Sequence, residues 1–284
     1  MAKKKIDIRK AEFSGFCFGV KRAIGIARVF LEQKKSAYSI GAIIHNPVVV
    51  DELSQKGLRV VKDIDKAKGQ NILIPSHGIS PQLRGRIKNT ASNMVDATCP
   101  FVERSHRFIA LLKEEGYQII IVGEKEHPEI KALRGLAGDD VLVVNGDSDF
   151  RSLKLKPKKI GIIAQTTLCR EEFFAIVTKV LENRCLEYRI FDTICNDVMQ
   201  RQLEARQLAR DTEAVLVVGG LMSANTRHLA DICREVCVKT YHIETEDELD
   251  ALWFKGVGSV AVVSGASTPD EIVDKVVDSL RDLL

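Results

Sequence analysis

The 284-residue chain is 45% hydrophobic and 29% charged, an ordinary globular composition that leaves out disordered and collagen-like classes. Its net charge of +3, from 42 basic and 39 acidic residues, is too small to predict a nucleic-acid partner, although local cations can serve an anionic small molecule. Seven cysteines, an odd number without tight spacing, argue against a secreted disulfide framework and predict a reducing, cytoplasmic setting.

The opening MAKKKIDIRK carries no apolar run of the kind a signal peptide needs. FSGFCFGVKRAI then places Cys17 where a strand-like run gives way to a helix-like one. IIHNP sets His45 after one apolar run, and ILIPSHG sets His77 after the next. NMVDATC brings Cys99 to the start of the amphipathic stretch PFVERSHRFIALLKEEG. A strand near Ile120 leads into GEKEHPE with His127 and Glu129, where Pro128 suits a first helical position. VLVVN at 141–145 is strand-like, the Pro- and Lys-rich 154–159 reads as a surface connection, and IGIIA at 160–164 is followed by Thr166 and Thr167. After the helix-like REEFFAIVTKVLEN, FDTIC delivers Cys195 to NDVMQRQLEARQLARD. VLVVGG at 215–220 ends in Ser223 and Asn225, VAVVSG at 260–265 ends in Ser267, and TPDEIVDKVVDSLRDLL closes the chain as a helix.

Alternation of this kind predicts an α/β protein with largely parallel sheets covered by helices. The even spacing of Cys17, Cys99 and Cys195 divides it into units at 11–97, 98–193 and 194–284. All apolar runs are strand-length, so no membrane span is predicted. Soft thiolates select zinc, copper or an iron–sulfur cluster. Three of them leave a site one ligand short, and an open position is what catalysis needs. The imidazoles, hydroxyls and amides at strand ends predict a site for a phosphorylated small molecule, because helix N-termini there favour anions. Ser223, Asn225, Ser267 and Thr166 also suit helix caps, a role compatible with holding an anion. Cys169, Cys185, Cys233 and Cys237 read as small buried hydrophobes. His106, His228 and His242 read as solvated or satisfied core histidines.

The motifs GFCFGVKRAI, HNPVVVDEL, HGISP, DATCP, HPE, QTT, DTIC with RQ a few residues on, VVGG and SGASTPD together resemble the 4-hydroxy-3-methylbut-2-enyl diphosphate reductase family of the non-mevalonate isoprenoid pathway. The likeness runs from about Phe16 to Asp270. It implies a trefoil of three α/β domains around a central four-iron four-sulfur cluster ligated by Cys17, Cys99 and Cys195. It also implies that His45, His77, His127, Ser223, Asn225 and Ser267 bind the substrate diphosphate. Glu129 would supply protons with Thr166 orienting them, and a ferredoxin- or flavodoxin-like protein would supply electrons. Where the family continues with Ala-Thr after the third cysteine, this chain has Asp197 and Val198. Where the family reads Asn-Ser-Ser-Asn, it has Met222, Ser223, Ala224 and Asn225. These departures raise a paralogue that keeps cluster and fold but acts on another anionic small molecule. A cluster-bearing sensor without turnover is a second alternative, against which Glu129, Gln165 and Thr166 speak. A hydrolytic zinc enzyme would need an unusual ligand set of three cysteines.

Overall fold

The structure, a computed structural model, describes residues 6–146, 155, 158–183 and 185–283. Of the predicted 154–159 connection, Lys154, Lys156 and Pro157 lie outside the described residues. The described strands form three four-stranded sheets. The first uses β2 (Ala37–Ile40), β3 (Leu58–Val61), β4 (Asn71–Ile74) and β5 (Asn93–Asp96) in the order β3-β2-β4-β5. The second uses β6 (Gln118–Val122), β7 (Leu142–Val144), β8 (Lys159–Ala164) and β9 (Glu187–Phe191) in the order β7-β6-β8-β9. The third joins β10 (Ala214–Val218), β11 (Thr240–Ile243) and β12 (Ser259–Ser264) to the N-terminal β1 (Asp7–Lys10), in the order β1-β12-β10-β11. Every pairing is parallel. With β1 taken as the fourth strand of the last sheet, all three have one topology: the first strand lies between the second and third, and the fourth is an edge.

The helices are α1 (Phe18–Lys34), α2 (Pro47–Gln55), α3 (Pro81–Thr90), α4 (Pro100–Glu114), α5 (Pro128–Ala137), α6 (Arg170–Leu181), α7 (Asn196–Asp211), α8 (Ala224–Arg234) and α9 (Asp270–Leu283). None is long and apolar enough to cross a membrane among the described residues. By compactness the chain divides into two units, one of residues 1–18, 45–49 and 196–284, the other of 19–44 and 50–195.

In the first unit, side-chain alternation along the strands serves both faces of the sheet. Leu216, Val218, Val260 and Val262 join Val273, Val276 and Leu280 of α9 on one face. Val215, Val217 and Val263 join Ala205 of α7 and Leu229 of α8 on the other. In the second unit, Ile120, Ile160 and Ile162 pack against Phe173 and Ile176 of α6, while Ile119, Ile121 and Ile163 meet Ile109 of α4 and Leu133 of α5. Each such branched side chain contributes roughly 1.5–3 kcal/mol on burial. Burial on both faces is why these strands are continuous apolar runs in the sequence.

Candidate active site

The three cysteines occupy one structural position, each in its own sheet. Each follows the fourth strand, β1, β5 or β9, and stands just ahead of a helix, α1, α4 or α7. Each also donates its backbone N–H to a carbonyl two residues beyond the third strand. Cys17 reaches Ala266 O at 3.0 Å, Cys99 reaches Ser76 O at 2.8 Å, and Cys195 reaches Thr166 O at 2.9 Å. All three side chains are half-buried.

The DATC and DTIC sequences build matching turns. Asp96 Oδ1 accepts from Thr98 N at 2.9 Å and from Thr98 Oγ1, and its Oδ2 meets Arg84 at 2.6 Å. Burial pushes the Asp96 carboxyl upward, but the Thr98 hydroxyl and amide and the Arg84 guanidinium outweigh it and hold it below the usual range. Asp192 Oδ1 accepts from Ile194 N at 3.2 Å, and its Oδ2 accepts from Arg170 Nε at 3.0 Å.

Glu129, in the first turn of α5, is 1% exposed. Its two oxygens accept from Thr166 N at 2.9 Å and Thr166 Oγ1 at 2.7 Å. Burial raises its carboxyl to about 7, although both Thr166 hydrogen bonds favour the ionised form. This is a carboxylic acid that can hold a proton near neutrality and that Thr166 keeps in one orientation. Pro128 takes the first helical position of α5 as expected, and His127 is the N-cap, its Nδ1 accepting from Glu129 N at 3.2 Å. In the neutral ring the proton therefore sits on Nε2. His77 is buried, and its Nδ1 donates to Gly78 O at 3.0 Å.

In the first unit, Ser223 caps α8 by accepting from Thr226 N at 3.4 Å. Asn225, 3% exposed, has both amide atoms buried without a hydrogen-bond partner. Leaving such an amide unmade costs about 1–3 kcal/mol per group, so its place at a helix N-terminus points to an anionic or polar occupant. Ser267 Oγ donates to His45 O at 3.3 Å. A Cβ at Gly220 would collide with that same His45 carbonyl, so only glycine allows the chain this close. Ala224 is buried and Met222 exposed on either side of the cap. Asp197, whose side chain is 32% exposed, pairs with Arg201 at 2.6 Å, and Val198 is buried.

Two expectations are corrected. Nε2 of His106 is buried without a hydrogen-bond partner rather than solvated or satisfied, and burial, reinforced by nearby Arg84, pushes its pKa down. Cys185 is half-buried, not buried, with Sγ donating to the carbonyls of Lys158 and Glu187. His242 is satisfied, bonding Gly219 O at 2.9 Å. Arg201 in α7 is buried, which its charge would not suggest. Its signal was periodicity: Arg201 shares the buried stripe of Val198, Gln202, Ala205 and Ala209.

The donor chemistry fits an iron–sulfur centre. Cys99 lies against the start of α4, where burial raises its pKa and the N–H groups of Phe101 and Val102 lower it. The Cys195 thiol is near enough to raise it further. A soft thiol whose free thiolate burial disfavours, with a second thiol close by, is suited to a cationic metal centre. Among the described residues no three His, Cys, Asp or Glu side chains converge on a single ion. Ligands of a polynuclear cluster bind different irons and need no such convergence.

A three-sheet parallel α/β protein with a cysteine after each fourth strand defines a class with known members. The sequence model of the LytB protein family matches residues 8–281, and the chain belongs to that family. A 4-hydroxy-3-methylbut-2-enyl diphosphate reductase of Pelobacter propionicus is 42% identical over 96% of this chain and 97% of its own. The reductase of that name from Geobacter metallireducens is 39% identical over 98% of each chain. A solved (E)-4-hydroxy-3-methyl-but-2-enyl diphosphate reductase, the terminal enzyme of the non-mevalonate pathway, is 36% identical with a TM-score of 0.69 over 98% of this chain and 99% of its own. The Plasmodium falciparum E-1-hydroxy-2-methyl-but-2-enyl-4-diphosphate reductase superposes with a TM-score of 0.90 at 27% identity, over 96% of this chain and 87% of its own.

Proposed function

We propose that this chain is a 4-hydroxy-3-methylbut-2-enyl diphosphate reductase, which removes the allylic hydroxyl of its substrate as water. Two electrons and two protons convert the alcohol to isopentenyl or dimethylallyl diphosphate. One observation carries the reading: a chain that matches this family over residues 8–281 also holds a buried, hydrogen-bonded carboxylic acid, Glu129, with a pKa of about 7.

Family membership makes this an iron–sulfur protein, and the proposed form is a four-iron four-sulfur cluster on Cys17, Cys99 and Cys195. When bound, such a cluster with one iron free of protein ligands supplies electrons and a Lewis-acidic position for the hydroxyl. His45, His77 and His127 bind the diphosphate with Ser223, Asn225 and Ser267, and this orientation gives an entropic advantage. Glu129 gives its proton at the departing oxygen, so that water leaves rather than hydroxide, and Thr166 fixes the carboxyl's orientation. Electrons come from a ferredoxin- or flavodoxin-like donor, and the setting is cytoplasmic. Division of the chain at 11–97, 98–193 and 194–284 is part of the same proposal. Pairing of Asp197 with Arg201 offsets the carboxylate's charge, so this departure is compatible with an anionic substrate.

Anaerobic purification, iron and sulfide analysis, and an assay with the diphosphate substrate and a reduced viologen test the proposal. The expected result is four irons per chain and turnover; stoichiometric zinc without iron would overturn it.

A further inference from the structure

The turns before Cys99 and Cys195 are folded by their own aspartates, but the segment before Cys17 has none. Six residues, Ala-Glu-Phe-Ser-Gly-Phe, separate the end of β1 from Cys17, and helix α7 holds them instead. Glu204 accepts from Glu12 N at 2.6 Å and from Phe13 N at 2.8 Å. Arg201 Nη1 donates to Phe13 O at 3.1 Å and to Ser264 O at 3.3 Å, while its Nε donates to Asp197 at 2.6 Å. Ser264 Oγ in turn accepts from Gly15 N at 3.0 Å. Gly15 has φ +74°, and a Cβ there would run into the Asp270 carboxylate, so the segment lies tight against α9.

The Arg201 side chain is 3% exposed. A guanidinium so deeply buried is tolerated only where a carboxylate and further acceptors satisfy it. Here those acceptors belong to two segments, one leading to Cys17 and the other, from Ser264, leading to Ala266 and Ser267. Ala266 O is also the acceptor for Cys17 N. One side chain thus ties together the chain carrying a cluster ligand and the chain carrying a diphosphate ligand.

We infer that Arg201 is a positioning residue for the reaction, setting the Cys17 thiol and the Ser267 hydroxyl, and that Asp197 is the anion that fixes its orientation. The inference rests on the proposed reading of Cys17 as a cluster ligand. Groups of this kind, behind the ligands, orient a metal site without touching it.

The test compares the parent with Arg201→Met, Arg201→Lys, Asp197→Ala and a surface control, Arg281→Gln, all full-length and prepared anaerobically with cluster. It reads hydrogen exchange of the 12–17 amides, the electron paramagnetic resonance spectrum of the reduced cluster, and kcat and KM on the diphosphate substrate. Arg201→Met should raise exchange at 12–17 at least ~10-fold, alter the spectrum and lower kcat/KM at least ~10-fold, losses on the scale reported for partners behind metal ligands. Arg201→Lys should recover part of this, since an ammonium can reach Asp197 but lacks the second nitrogen that lets Nε hold Asp197 while Nη1 serves two carbonyls. Asp197→Ala should fall between, and Arg281→Gln should match the parent.

Parent-like exchange, spectrum and kinetics in Arg201→Met, with only a lower Tm, would overturn the inference. If Arg201→Met does not fold, Arg201→Lys and Asp197→Ala decide: exchange and spectra in both that match the parent overturn it equally. An iron-free parent overturns the reading of Cys17 and the positioning role with it. A cluster-loaded parent whose 12–17 segment stays closed in every variant overturns the role of Arg201 alone.

Discussion

The two compact units reach the same cysteine geometry by different means. In the unit of residues 19–44 and 50–195, the groups around the cysteine turns and the buried acid pair locally: Asp96 and Asp192 fold the turns before Cys99 and Cys195, and Thr166 satisfies both oxygens of Glu129. In the unit of residues 1–18, 45–49 and 196–284, the segment before Cys17 relies on charges from α7, and the Asn225 amide is left open. A locally closed polar network is rigid before any ligand arrives, whereas an open amide gains its partner only on binding. The Glu129 carboxyl is thus held in place within its own unit, while the Asn225 amide keeps its bonding capacity unused.

The largest test asks whether the locally held turns are ligand turns at all. Cys99→Ser and Cys195→Ser should abolish or severely deplete iron and sulfide, while Cys185→Ser, outside all three turns, should leave both at parent levels. Breaking the closed pair comes next. Glu129→Gln should keep the cluster and lose turnover at least ~100-fold, the usual scale of general-acid contributions. Near-parent turnover in that variant would reassign the proton source.

The closed pair also has a pH signature. Burial raises the folded pKa of Glu129 to about 7 from 4.5, so the folded protein holds this proton more tightly than the unfolded chain. Its contribution is fully present below pH 4.5 and is lost as pH rises through about 7, a change on the order of 3 kcal/mol. Urea unfolding of the parent and Glu129→Gln across this window should diverge by that amount; parallel curves would reject it. Asp96→Ala should cost about 2 kcal/mol, the scale of hydrogen bonds to a charged group, and loosen exchange at Thr98 and Cys99 without opening 12–17. The smallest effect is on the open side. Ala224→Ser adds a hydroxyl at the start of α8 and should lower KM by a factor of about 3, a typical net hydrogen bond; an unchanged KM would place residue 224 out of reach of the diphosphate.

The α/β class, the strands near Ile120 and at 160–164, 215–220 and 260–265, and the helices that follow them are legible in the order of the residues. Strands buried on both faces must be apolar throughout, and amphipathic helices must repeat every three to four residues. The sequence also placed the candidate polar residues at strand ends, because His, Ser, Thr and Asn interrupt such runs conspicuously. What it did not reveal was that β1 completes the last sheet, since Asp7–Lys10 looks polar and its partner Ser259–Val262 lies at the other end of the chain. Nor did it show what Arg201 and Glu204 hold, or that Asn225 is left open. Those facts depend on which distant carbonyls and amides come within hydrogen-bonding distance of a side chain, and chain folding alone brings Phe13 and Ser264 to one guanidinium.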